Sequence, residues 1–427
     1  MSIVTASLTT QSALAVERLR STPALLRTWS VGLAVLVIVA AALASVATAQ
    51  FISTTNKVQE STGPVLISTQ GLLASIAEAD AANTAVFLSG ESGDREQLRL
   101  YEAALSRAPQ QVEDIAAGIG DNAESHASLK QIGSLLTEYA RLTERARVNN
   151  LAGDPTATED LNAAIELVSG QGGMLEQAEL VTTRTQASLD DDIDAGFWTW
   201  VGGLTAAGAA VVALVLGQRD LRRRTNRLLN PPLLLATAFI AGLGLWLVFA
   251  QGGRIVDLET ARDDAYDSIA LTAELQTAAF EYKSNEAQAI IADDSTLLPT
   301  PDDALSISQL LESLSAEADT TAELAAVTNL QTRWSRYLAT SAEIESSLIR
   351  VGDDAARTIA ITDGNRDFNG FNTTVESVLL ANRDQFERAT ASAENRMNWL
   401  RWGSIVLPLM AAVAILAGYQ IRINEYW

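Results

Sequence analysis

Residues 27–50 read RTWSVGLAVLVIVAAALASVATAQ, and no charged side chain occurs between Arg27 and Lys57. Three later stretches are equally free of charge, and the four apolar cores cover residues 31–49, 197–216, 233–250 and 402–421. About 20 apolar residues in a helix cross the hydrocarbon layer of a membrane. Tryptophan, phenylalanine and tyrosine mark the ends of these stretches, as in an interfacial aromatic belt. The sequence therefore predicts four transmembrane helices, at residues 29–51, 196–217, 231–251 and 399–421.

The first apolar stretch has a second interpretation. Ala47-Thr48-Ala49 resembles a signal-peptidase site, and a basic segment precedes the apolar run, so cleavage after Ala49 is the alternative to a retained span. About 28 residues precede the run, which is long for the leading segment of a signal peptide. We therefore expect the span to be retained.

The short connecting segments predict the orientation. Residues 1–28 carry Arg18, Arg20 and Arg27 against Glu17, and Arg422 follows the last span. The loop at residues 218–230 is strongly basic, and its candidate contacts for lipid headgroups or a cytoplasmic partner are Arg219, Arg222, Arg223, Arg224 and Arg227. Basic loops stay on the cytoplasmic side of the plasma (inner) membrane. Both termini, residues 1–28 and 422–427, are then cytoplasmic, and residues 52–195 and 252–398 lie outside.

The charge of the chain belongs to these two outside segments. The 427 residues have a formal net charge of −22. Residues 53–195 contribute −14 and residues 252–398 contribute −15, so the remainder is positive. An acidic surface disfavours nucleic-acid binding. The absence of cysteine and the single histidine exclude disulfides and multi-histidine metal sites.

The two halves of the chain resemble each other. Gln50 and Gln251, Trp198 and Trp399, and Gly217 and Gly418 are each separated by 201 residues. Other matching residues have slightly different separations, such as the 198 residues between Tyr139 and Tyr337. Insertions in loops produce such differences. We therefore predict an internal duplication in which each half is a span, an outside domain and a second span.

Both outside segments are rich in good helix formers, and their apolar residues recur at helical spacing. Leu129, Ile132, Leu136 and Tyr139 form one such stripe, and a heptad seam runs from Leu330 to Val351. Breaks are predicted near residues 89–94, 118–122, 151–155, 293–303, 325–329 and 351–365. The predicted fold is an all-α membrane protein with four transmembrane helices and two extracytoplasmic antiparallel four-helix bundles.

No catalytic motif is present. His126 has no nucleophile and orienting group in a recognisable pattern, and a solvated surface role is the favoured interpretation. The acid run at residues 190–194 could collect divalent cations, but it lacks EF-hand spacing. The sequence therefore predicts neither an enzyme nor a cofactor or metal site.

Five arginines in the acidic segments are candidate contacts for an outside ligand or partner, since the planar guanidinium group suits carboxylates. They are Arg141, Arg145, Arg147, Arg333 and Arg336. The alternative is pairing with Glu138, Glu144 or other nearby acids of the same domain.

Two helical outside segments, four spans and a short basic loop resemble the GlnX-type actinobacterial membrane sensors, over the whole chain but without a sharp motif. The resemblance implies that an extracytoplasmic GlnH-like solute-binding lipoprotein, which recognises aspartate and glutamate, is a partner. It also implies a soluble Ser/Thr kinase, similar to protein kinase G, as the cytoplasmic partner in nitrogen and glutamate metabolism. The sequence does not decide whether the chain forms a homodimer.

The expected function is therefore a transmembrane signal-relay sensor. The alternative is a structural or scaffolding protein of the envelope. An enzyme is disfavoured because no catalytic motif is present, and a transporter subunit because none of the four apolar cores contains a charged residue.

Overall fold

The computed structural model describes residues 22–57, 61–90, 94–225, 230–259, 267–318 and 320–424, and the regular elements within these ranges are all helical. In chain order the α-helices are α1 Thr22–Lys57, α2 Gly63–Ser89, α3 Arg95–Gly118, α4 Ala123–Leu151, α5 Thr156–Ser169, α6 Met174–Thr225, α7 Pro231–Glu259, α8 Asp267–Ala292, α9 Pro301–Glu317, α10 Thr321–Arg350, α11 Asp353–Ile359 and α12 Asn365–Asn424. A 3₁₀ turn, Ser295–Leu297, follows α8, and a π-helical segment, Ala360–Gly364, joins α11 to α12. The prediction of an all-α protein is confirmed for these residues.

The chain divides into two compact units. The apolar unit contains Met1–Thr55, Asp191–Leu258 and Ala391–Trp427, and the polar unit contains Asn56–Asp190 and Glu259–Thr390. Residues 1–21 of the predicted cytoplasmic segment at 1–28 lie outside the described residues. The last three residues of the predicted tail, 425–427, do so as well.

Helices of the apolar unit pack through small and branched side chains. One core cluster contains Leu33, Val37, Ala210, Leu214, Leu233, Ile240, Ala411 and Ile415. A Cβ added at Gly203 would lie 3.1 Å from the Cβ of Ala47, so glycine allows these two helices to approach closely. Large apolar side chains cover the outer face, and Trp198 and Phe249 are each 70 % exposed. Such a face suits lipid better than water.

Two helical segments of this unit, Arg27–Gln50 and Phe197–Arg223, are long and apolar enough to cross a membrane. These correspond to the first two predicted spans. Pro231–Trp246 and Ile405–Ile421 are apolar but shorter over the described residues. The third and fourth spans, and the orientation of the chain, therefore stay predictions.

The first part of the predicted basic loop at 218–230 is helical in the structure. Helix α6 continues to Thr225, and α7 begins at Pro231. Gln218 donates hydrogen bonds to the carbonyl of Leu233 (3.0 Å) and to the hydroxyl of Thr237 (2.7 Å). These bonds tie the end of α6 to the start of α7, so only residues 226–230 are left to connect the two helices.

In the polar unit, the first helical cluster is formed by α2, α3, α4, α5 and the start of α6. Their shared core contains Val65, Leu72, Ile76, Ala104, Ile115, Ile132, Tyr139, Ala164, Val168, Met174 and Val181. Side chains at the helix starts accept hydrogen bonds from otherwise unpaired amides: Asp94 caps α3 and Asn122 caps α4. The predicted stripe from Leu129 to Tyr139 is confirmed as buried.

The second helical cluster is formed by α8, α9, α10 and α12. Its core is aromatic and contains Phe280, Tyr282, Trp334, Tyr337, Phe368 and Phe371. The ring centroids of Trp334 and Phe371 are 5.4 Å apart. The heptad seam of α10 is buried from Leu330 to Leu348, but Val351 at its end is 75 % exposed.

Some predicted breaks are wrong. Residues 325–329 lie inside α10, because Thr320 and Glu323 form a capping box that starts the helix earlier. Residues 353–364 are helical rather than a loop, and only Val351 and Gly352 lie between α10 and α11. A break at residues 170–173, between α5 and α6, was not predicted.

Helices α2 and α8 pack along each other and join the two clusters. Most of α2 is buried on every side, and its Ala77 and Ala81 belong to the core of the second cluster. Leu88, near the end of α2, packs with Ala287 and Ile290 of α8. The segments predicted as two outside domains therefore lie in one compact unit.

Candidate functional site

The contact between α2 and α8, which we call the α2–α8 seam, contains buried polar side chains. On α2 these are Glu78, Asp80, Asn83 and Thr84, and on α8 the partner is Ser284. The Ser284 hydroxyl donates a hydrogen bond to Asp80 Oδ2 at 2.7 Å, and it lies 3.5 Å from the Thr84 hydroxyl. Because this seam joins both helical clusters, it is the candidate functional site.

Asp80 is a buried acid of the seam that contacts Ser284 and forms no ion pair within the described ranges. The residue is 6 % exposed, and its second oxygen, Oδ1, has no hydrogen-bond partner among the described residues. Burial raises the pKa of Asp80 to about 6, and the hydrogen bond from Ser284 offsets part of that effect. Tyr139 of α4 is also fully buried, and burial together with the nearby Asp80 carboxylate raises its pKa well above the usual value.

Glu78 lies two residues before Asp80 on α2 and interacts with α3 and α12. It forms an ion pair with Arg107 of α3. Burial raises the pKa of Glu78 to about 7, the Arg107 guanidinium lowers it, and the Glu376 carboxylate of α12 raises it further. Glu376 in turn accepts a hydrogen bond from Asn372 (3.0 Å), and Gln276 of α8 donates one to Asn372 (2.8 Å).

A second buried ion pair lies on α8 itself. Lys283 Nζ is 3.0 Å from Glu286 Oε1, and both side chains are almost completely buried. Tyr337 of α10 donates a hydrogen bond to the same glutamate oxygen at 3.1 Å. The Tyr337 ring also lies beneath the Lys283 ammonium, and Nζ is 5.5 Å from the ring centroid.

These groups have no arrangement of nucleophile, base and orienting residue that would suit catalysis. Buried charges that are incompletely paired lower stability, but they restrict which helix positions can face each other. The α2–α8 seam is therefore suited to fixing a helix register that a small displacement would disturb.

The three predicted arginines of α4 are paired with acids of their own cluster. Arg141 pairs with Glu138 and Arg147 pairs with Glu144, each within α4, as the alternative interpretation expected. Arg145 bridges to Asp160 of α5, with Nε 2.7 Å from Oδ2. The Asp160 side chain is 9 % exposed, and the hydrogen bonds from Arg145 lower its pKa.

The other predicted arginines lie elsewhere. Arg333 of α10 donates to Asn329 at 3.3 Å, and Arg336 is exposed. No hydrogen bond or ion pair within the described ranges joins either of them to the arginines of α4. Arg219, Arg222 and Arg223 are exposed on the last turns of α6, whereas the side chain of Arg224 and all of Arg227 lie outside the described residues.

His126 is exposed, and its Nε2 lies 2.8 Å from the carbonyl oxygen of Gly120. Among the described residues, no group of three or more potential ligands could hold a metal ion. Asn83 and Ser341 are buried, and Ser341 lies 3.2 Å from the Tyr282 hydroxyl, whereas Asn285 is exposed.

Sequence reasoning missed the α2–α8 seam. The signal that could have found it is the run at residues 74–82, ASIAEADAA, where Glu78 and Asp80 interrupt small apolar residues on both sides. A helix with small residues all round and acids between them is buried on every side. Its acids must then face a partner helix.

Residues 54–194 match the family model of the actinobacterial sensor domain. This range contains α2 to α5 and the first part of α6, and so includes the α2 side of the seam. The match supports a sensor role for the first helical cluster. No curated protein and no solved structure matches the chain.

Proposed function

We propose that this chain is a membrane-anchored sensor that relays an extracytoplasmic signal to a separate cytoplasmic protein. The observation that carries the proposal is the match of residues 54–194 to the actinobacterial sensor domain. Two helices apolar enough to cross a membrane support the location. The proposal assigns no catalytic step and no cofactor to the chain.

In this proposal the chain has four spans, and each helical cluster of the polar unit is an antiparallel four-helix bundle derived by duplication. The burial patterns of α4 and α10 support the duplication. Leu129 and Val327, Ile132 and Leu330, and Tyr139 and Tyr337 are all buried and are each 198 residues apart. In the first cluster, α5 and the start of α6 together provide the fourth helix.

The α2–α8 seam provides a means of relay. Signals in helical receptors travel as helix shifts of about 1–2 Å. Asp80 and Glu78 are buried acids whose contacts with Ser284 and Arg107 depend on the register of α2 against its neighbours. A shift of one helix therefore changes the packing of both clusters together.

The proposed partners follow from the resemblance to GlnX-type sensors. Outside the cell the partner is a GlnH-like lipoprotein loaded with an acidic amino acid. Inside it is a Ser/Thr kinase similar to protein kinase G, and the exposed Arg219, Arg222 and Arg223 are its proposed contact. These arginines also attract anionic lipid headgroups.

Crosslinking in native membranes tests this proposal. The chain, tagged at its C-terminus, is crosslinked, extracted in detergent and purified, and the captured proteins are identified by mass spectrometry. We expect one solute-binding lipoprotein and one cytoplasmic Ser/Thr kinase. A preparation that yields neither, or only cell-wall and division proteins, contradicts a relay and favours the scaffold alternative.

A matched variant separates the two partners. Replacing Arg219, Arg222 and Arg223 with glutamine should abolish capture of the kinase and leave the lipoprotein unchanged. Replacing the exposed Arg95, Arg99 and Arg366 of the polar unit serves as the control for loss of charge.

A further inference from the structure

The second helical cluster contains a cavity of about 410 Å³ at one end of its four helices. Its walls come from the start of α8, the end of α9, the start of α10 and the middle of α12. Small side chains create the space, since Ala318, Ala322, Ala326 and Ala381 all line it. A volume of this size suits a small molecule.

Asn382 gives the cavity an unused polar group. The residue is 6 % exposed and lines the cavity, and its amide has no hydrogen-bond partner among the described residues. The amide can therefore hydrogen-bond with water or with a ligand in the cavity.

The residues at the corresponding positions of the first cluster contact each other. At the 201-residue offset Asn382 corresponds to Val181, which is fully buried in the apolar core, and Gln385 corresponds to Arg184. At the 198-residue offset Ala322 and Ala326 correspond to Glu124 and Ser128. In the first cluster Arg184 pairs with Glu124 (3.2 Å) and donates to Ser128 (3.1 Å). Gln385, Ala322 and Ala326 of the second cluster cannot form this ion pair or this hydrogen bond.

The charges around the cavity indicate the class of ligand. Arg388 lines the cavity and is exposed, and its Nε donates a hydrogen bond to the carbonyl of Asp384 at 3.0 Å. Glu323 also lines it, but its Oε2 accepts a hydrogen bond from the Thr320 amide in the cap of α10. The remaining walls are largely alanine, leucine and valine.

We propose that this cavity binds a small molecule with an apolar body and a carboxylate. Arg388 pairs with the carboxylate, Asn382 donates and accepts hydrogen bonds with a polar group of the ligand, and the alanines contact its apolar body. This inference rests on the proposed sensor function and names the ligand class of the second cluster.

Isothermal titration calorimetry on the full chain in nanodiscs tests the proposal. The probes are L-phenylalanine, 3-phenylpropanoate and 2-phenylethylamine, which share one apolar body. We expect both carboxylates to bind and the amine to bind at least about tenfold more weakly, since a charge-assisted hydrogen bond is lost. If no probe binds, or if the amine binds as well as the acids, the proposal is wrong.

Two variants locate the binding. Asn382→Val introduces the residue that the first cluster uses and should fold, with binding abolished. Arg388→Gln changes an exposed side chain and should weaken binding of both acids about tenfold or more. Arg350→Gln, exposed at the other end of α10, is the matched control and should leave affinity unchanged.

Unchanged affinity in both Asn382→Val and Arg388→Gln overturns the assignment. Should Asn382→Val unfold, Arg388→Gln alone still decides the question. Binding is measured on the isolated protein, so its failure is distinct from a failure to capture a kinase in the crosslinking experiment.

Discussion

Asp80 shows how one residue makes the packing of the polar unit depend on pH. Its carboxyl has a pKa of about 6 in the folded protein, raised by burial above its ordinary 3.8. The folded protein therefore keeps a proton that the unfolded chain has released. Stability falls as pH rises through the range from about 4 to 6, by on the order of 3 kcal/mol.

Asp80→Asn should remove this dependence. At pH 8 we expect the variant to be more stable than the wild type by up to about 3 kcal/mol, and at pH 4 the two should be nearly equal. Thermal unfolding of the full chain in nanodiscs at a series of pH values measures the difference. Burial and the Asp80 carboxylate both raise the pKa of Tyr139 and of Glu281, so the variant should lower these two pKa values.

Asp160→Asn is a control for which the effect of the substitution on stability should have the opposite sign. The pKa of Asp160 is lowered by hydrogen bonds from Arg145, so its contribution is present at neutral pH and disappears only as pH falls through that lowered pKa. The variant should be less stable than the wild type from pH 5 to 8. A parallel pH profile for the two variants would contradict this assignment of the two acids.

Arg145 and Arg141 test whether the α4 arginines are structural. Arg145→Gln leaves the mostly buried Asp160 without its ion pair and should lower Tm by a few degrees. Arg141→Gln breaks only a pair within one helix and should leave Tm unchanged. Normal stability in Arg145→Gln, together with loss of capture of the outside partner, would favour the ligand-contact interpretation instead.

At the scale of elements, α2 is the central helix of the polar unit. It packs in the first core through Leu72 and Ile76 and in the second core through Ala77 and Ala81. A helix that serves two cores needs small residues on one face, because two backbones can then approach closely. This explains why α2 is rich in alanine although it is not a transmembrane helix.

A pair of cysteines tests the packing of α2 on α8, and the native chain contains no cysteine to interfere. The hydroxyl oxygens of Thr84 and Ser284 are 3.5 Å apart, so cysteines there can form a disulfide. Oxidised Thr84→Cys with Ser284→Cys should keep the two halves linked after proteolysis between them. The control pair, Thr84→Cys with Asn285→Cys, should not crosslink, because Asn285 is exposed. Equal crosslinking of both pairs would argue against this register.

For the whole molecule, the strong charge contrast between the units predicts the topology. Single cysteines in place of Arg95 and Ser308, both exposed in the polar unit, should react with an impermeant maleimide on intact cells. A cysteine in place of Arg223, exposed at the end of α6, should react only after permeabilisation. The reverse pattern would overturn the predicted orientation, and labelling of all three would indicate that the chain does not span the membrane as proposed.

Helical periodicity predicted much of the local structure. The stripe from Leu129 to Tyr139 and most of the α10 seam are buried as expected, since each repeats with the period of a helix. Boundaries were less accurate. Asn329, predicted to lie in a break, is inside α10, because the capping box at Thr320 and Glu323 overrides a weak local preference.

The sequence by itself determined what depends on neighbours along the chain: the helices, their caps, the apolar segments and the acidic character of the residues between them. The tertiary structure alone decided that α2 and α8 form a shared seam and that Asp80 contacts Ser284. It also decided that Asn382 lines a cavity of the second cluster, whereas Val181 is buried in the core of the first. These pairs are 200 or more residues apart in sequence. Periodicity shows that a helix has a buried face, but it does not identify the partner, because many apolar faces are equally compatible with it.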